Sequence, residues 1–70
     1  MTGYLAVFEH DNDGWSVYLP DLPGCVGTGT TRSEAQQEIT AAVALHIEGL
    51  RSAGLPVPEP SAEAGEVIAA

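Results

Sequence analysis

Apolar positions recur along this chain with a period of two near its start and of three to four in its middle, which divides it into sheet and helix. In YLAVFEHD, Tyr4, Ala6 and Phe8 fall on one side of an extended chain and Leu5, Val7 and Glu9 on the other, so residues 4–11 read as a central strand. Asp11 to Gly14, DNDG, has the residues of a hairpin loop. The segment WSVYLP then sets Trp15, Val17 and Leu19 against Ser16 and Tyr18, a second strand over residues 14–19. Further on, Ala35, Ile39, Ala42, Val43, His46, Ile47 and Leu50 share one face of a helix, while Gln36, Gln37, Thr40, Ala44 and Glu48 lie elsewhere. Thr31 and Glu34 have the spacing in which a cap hydroxyl and a carboxylate satisfy each other's free amides, and Gly54 with Pro56 ends the helix, which bounds it at about residues 32–53.

Between second strand and helix lies LPDLPGCVGTGTT. Pro20 and Pro23 have no N–H, so the second strand must stop near Leu19, and Asp21 between them suits a local turn. Pro23-Gly24 is the residue order of a type II turn, which aims Leu22 into the core and lets Cys25 begin a third strand, about residues 25–28, that Gly27 and Gly29 keep thin and irregular. After the helix, Pro56, Pro58 and Pro60 make a stiff connector, and residues 66–69 are expected to form a short last strand parallel to the first. The pattern is α+β, a β-β-β-α-β sheet with one main helix on one face. Trp15 and Tyr18 lie on opposite faces of their strand, one under the helix and one on the open face, which Tyr4 and Phe8 or the residues alternating with them would share.

Composition narrows the function. Seventy residues make a single domain, and so short a chain buries only about 60% of its unfolded surface, so a homodimer, a larger homo-oligomer or another partner is expected. One cysteine cannot close an internal disulfide, which fits a reducing cytoplasm, and no window reaches the roughly 20 apolar residues of a membrane span. Ten acidic residues against Arg32 and Arg51 give a formal charge of -8, which repels nucleic-acid phosphates and attracts a basic protein.

Chemistry finds little support. Glu9, Asp11, Asp13 and Asp21 sit at strand ends and turns, while the middle of the first strand, where a two-metal nuclease would carry a carboxylate, is Leu5-Ala6-Val7. His46 falls on the apolar helix face without a neighbouring nucleophile, and Cys25 has no cation near it in sequence. GCVGTG lacks the Lys-Ser/Thr of a phosphate loop. No catalytic residue, cofactor or metal site is therefore expected.

Gly14-Trp15, YLPDLPGC at Tyr18 to Cys25, TTRSEA at the helix start and LPVPEPS after it together resemble the HicB-like antitoxin family over nearly the whole chain. The identifying positions are Pro20, Asp21, Leu22, Pro23, Gly24, Cys25, Thr31 and Glu34. The resemblance implies a partial ribonuclease H-like fold and the neutralising of a small basic, messenger-RNA-cleaving toxin of HicA type. It also implies a DNA-binding segment in many relatives, which this sequence is not expected to carry. Tyr18, Asp21, Leu45 and Glu48 are the candidate contacts with a partner or a second copy, and Asp11, Asp13, Asp21, Glu34, Glu38 and Glu48 would supply the attracting field. The rival readings are an oligomeric interaction module without a toxin and a remnant metal-dependent nuclease.

Overall fold

The computed structural model describes residues 3–69. Three strands, β1 (Val7–Asp11), β2 (Gly14–Tyr18) and β3 (Val26–Gly29), form an antiparallel sheet in the order β1-β2-β3, and one helix, α1 (Arg32–Ser52), packs on one face of it. β1 is shorter than expected and lies at the edge of the sheet, not its centre, which β2 occupies: Tyr4 and Ala6 still pack against the core but precede the ladder. Asp11 closes the hairpin by accepting the Asp13 amide at 2.8 Å, an Asx-turn.

The register Phe8↔Val17↔Gly27 and His10↔Trp15↔Gly29 puts these residues on the helix side. Val17, Leu19, Leu22, Cys25, Ala35 and Ile39 form the buried core, with Trp15, Phe8, Val43, Ile47 and Leu50 packed around it. β3 is regular, not irregular as its glycines suggested. Gly27 and Gly29 instead let the helix backbone approach the strand. A Cβ on Gly29 would lie 2.6 Å from the Ala35 amide nitrogen, and one on Gly27 would lie 3.1 Å from that of Ile39.

Two successive turns link β2 to β3. The Leu22 amide donates to Leu19 O and the Cys25 amide to Leu22 O, both at 3.1 Å, so each proline occupies the second position of its turn. Gly24, at φ 88°, supplies the left-handed residue that Pro23-Gly24 called for. Leu22, shared by both turns, is 1% exposed.

The helix begins and ends where its caps dictate. Thr31 is extended and its Oγ1 accepts the Glu34 amide. The Glu34 carboxylate does not return chiefly to the Thr31 amide, as a capping box would; it accepts from the Thr30 amide and hydroxyl. At the other end Leu55 N–H donates to Leu50 O and Gly54 N–H to Arg51 O, a Schellman motif with Gly54 at φ 71°.

The expected strand at residues 66–69 does not form: this stretch lies outside the sheet, with Val67 94% and Ile68 81% exposed. The connector before it is held elsewhere. Tyr4 Oη donates to Pro58 O at 2.6 Å, and the Asp21 carboxylate accepts the Ser61 amide, the Ser61 hydroxyl and the Ala62 amide, each at 2.9 Å. These contacts fix the connector at Pro58 to Ala62, and the Val67 and Ile68 side chains beyond it stay in water instead of packing on the sheet.

Candidate partner-binding surface

The sheet has one covered and one open face. Alternation along the strands sends Val7, Tyr18 and Val26 away from α1, and the register makes them direct neighbours: Val7 opposes Tyr18, and Tyr18 opposes Val26. Tyr18 is 42% and Val26 62% exposed, and Val7 is half-buried. The next row, toward the hairpin, is Glu9-Ser16-Thr28, and Asp11 lies beyond Glu9 on the same face. The face therefore runs from apolar to polar to acidic along the strands.

Its two edges also differ. On β3, the Thr28 amide donates to Glu38 Oε1 at 3.1 Å and the Thr30 amide, just past the strand, to Glu34 Oε1 at 2.9 Å, so helix carboxylates occupy that edge. The Thr30 hydroxyl, then its amide, hold the Glu34 carboxyl below its ordinary pKa. Among the described residues no strand pairs with the outer edge of β1. At the hairpin end of the β3 edge, Asp11, Asp13, Ser16, Thr28, Glu34 and Glu38 line an open groove of about 630 Å3.

The basic side chains are on the helix. Arg32 places its guanidinium carbon 4.0 Å from the centre of the Phe8 ring, a cation–π contact on the covered side. His10 stacks on Trp15 there, with ring centroids 4.5 Å apart. Burial raises the pKa of the Cys25 thiol, the opposite of what a nucleophilic thiolate requires. Among the described residues no three His, Cys, Asp or Glu side chains gather in a way that could hold a metal ion, and no helix is long and apolar enough to cross a membrane.

The four candidate contacts do not meet. Tyr18 lies on the open face. Leu45, 71% exposed, and Glu48 lie one turn apart on the helix, on the opposite side of the sheet from Tyr18. Asp21 is half-buried, and its carboxylate is engaged by the connector instead of making a local turn. The Ala62 amide, then the Ser61 amide, lower its pKa. Tyr4 and Phe8 pack toward the core, and it is the alternate residue, Val7, that joins Tyr18 on the open face. Val26 was not singled out from sequence, although the alternation was available: if Cys25 and Gly27 face the helix, Val26 must face away.

A family model described as HicB_like antitoxin of bacterial toxin-antitoxin system matches residues 4–69. The chain is 45% identical over 47 residues to an uncharacterized 14.9 kDa protein of Haemophilus phage HP1, covering 67% of this chain and 35% of that protein. It is 37% identical over 65 residues to Antitoxin HicB 2 of Photorhabdus laumondii, covering 87% of this chain and 45% of that one. The chain thus spans less than half the length of these two relatives. A UPF0150 protein of Thermoplasma acidophilum is 36% identical over 61 residues, with 86% and 88% of the two chains covered. Among solved structures, a chain of a HicA3 and HicB3 toxin-antitoxin complex is similar at a TM-score of 0.69 and 33% identity, over 86% of this chain and 70% of that one.

Proposed function

This chain belongs to the HicB-like antitoxin family of bacterial toxin–antitoxin systems, and from that premise we propose that it binds and neutralises a small basic, messenger-RNA-cleaving toxin of HicA type. The observation that carries the reading is the likeness, at 33% identity and over 86% of the chain, to a protein solved in a toxin–antitoxin complex. The charge of -8 supports it, since a toxin that grips RNA presents a basic surface and an acidic protein is drawn to that surface.

In this proposal the antitoxin acts by occlusion. It covers the toxin's RNA-binding or active-site surface, so substrate loses access, and the chain contributes contact and field instead of a reacting group. Co-expression with a HicA-type protein encoded beside its gene tests the reading. Restored growth with a co-purified complex is expected. A toxin left fully active by a folded, expressed chain overturns it.

A further inference from the structure

Resting on the antitoxin reading, we propose that the toxin docks on the open face of the sheet, with Tyr18 and Val26 at the centre of the contact and Glu9 and Asp11 steering it, and not on the outer face of the helix.

The face has the composition of an interface on one side only. Val7, Tyr18 and Val26 form a continuous apolar row across all three strands, and Tyr18 and Val26 keep 42% and 62% of their surface in water. An aromatic residue between two β-branched neighbours on a rigid sheet loses little side-chain freedom on binding, the circumstance in which a few anchors dominate an interface. The Ser16 and Thr28 hydroxyls beside that row can pair with a polar rim. The outer helix face offers a single large apolar side chain, Leu45, beside Ala41, Ala44 and Glu48.

Charge identifies the occupant. The charged residues that the three strands put on this face, Glu9 and Asp11, are both acids; both arginines are on α1, and Arg32 is turned onto Phe8 on the covered side. The groove containing Asp11, Asp13, Glu34 and Glu38 continues the same sign around the β3 edge. A second copy laid on this face would bring the same acids and another -8 of net charge, which opposes pairing. A basic protein with an apolar centre complements both the row and its rim.

The test titrates the purified HicA-type protein encoded beside the gene into the native chain and into Tyr18→Ala, Val26→Ser, Glu9→Lys and Leu45→Ser, each first shown by circular dichroism to be folded. Tyr18→Ala is expected to weaken binding by about 30-fold, as loss of a central aromatic anchor does. Val26→Ser should weaken it by a smaller factor. Glu9→Lys should mainly slow association, and Leu45→Ser should change nothing. Undiminished affinity in Tyr18→Ala and Val26→Ser with loss in Leu45→Ser overturns the surface while leaving the antitoxin reading intact. No binding by the native chain overturns both together. A native dimer that Tyr18→Ala splits into monomers overturns the assignment in favour of a second copy.

Discussion

The two faces of the sheet are built from alternate residues of the same three strands, yet one is buried under the helix and the other is left in water. On the covered face Val17 is 2% exposed and Gly27 and Gly29 let the helix backbone sit against the strand. On the open face, one residue along in each strand, Tyr18 and Val26 remain in water. Stability should therefore be concentrated on one face of a thin protein and recognition on the other. Such a division is available because strand side chains alternate with a strict period of two.

Core truncation gives the widest contrast. Leu22→Ala should destabilise the fold by about 2–5 kcal/mol, enough to unfold much of so small a domain, whereas Tyr18→Ala should cost under about 1 kcal/mol in urea or thermal unfolding. Equal losses from the two would break the contrast. Gly29→Ala is expected next, at about 1–3 kcal/mol, because its Cβ would meet the Ala35 backbone nitrogen at 2.6 Å and a backbone cannot rotate away as a side-chain tip can. An unfolding midpoint like that of the native chain would mean that the helix stands farther off the sheet. Thr31→Ala, which removes the acceptor of the Glu34 amide, should cost about 1 kcal/mol and raise amide exchange in the first helical turn.

The smallest effect is local and depends on pH. Asp21 is held below the ordinary aspartate value of 3.8, first by the Ala62 amide and then by the Ser61 amide. Its contribution is therefore complete above that value and is lost as pH falls through the lower, folded one. Acid titration should accelerate exchange at the Ser61 and Ala62 amides before the sheet opens, and Asp21→Ala should show that fast exchange at neutral pH. Slow exchange of both amides in Asp21→Ala would mean that the connector is held by other contacts.

What could be read beforehand was whatever is encoded within a few residues. The Pro23-Gly24 turn and the Gly54 stop follow from backbone torsions that few residues satisfy, and the Thr31 cap from a hydroxyl able to accept a first-turn amide, so their places along the chain were legible. So were the hairpin and the Trp15/Tyr18 division between faces. The thinness of β3 was visible but its purpose was not, since Gly29 matters through Ala35 on another element. Asp21 has the spacing of a local turn former, yet its partners are 40 and 41 residues away. Glu38 looked like a free surface charge and proved to hold Thr28. The strand expected at residues 66–69 rested on crossover handedness, which says where a strand could go but not whether it gains enough contact to stay. For the proposed contact surface, sequence supplied Tyr18 and did not single out Val26, and Leu45 entered only as an exposed apolar side chain.

The carboxylates of Glu34 and Glu38 have one more effect, on growth. A sheet with two bare edges can add strands at both and so polymerise without limit. Here the protein's own helix carboxylates take the Thr28 and Thr30 amides on the β3 side, while among the described residues the outer edge of β1 pairs with no strand. Two molecules joined along β1 would each turn outward a β3 margin whose Thr28 and Thr30 amides are already taken, which favours stopping at a pair over running on into a fibre.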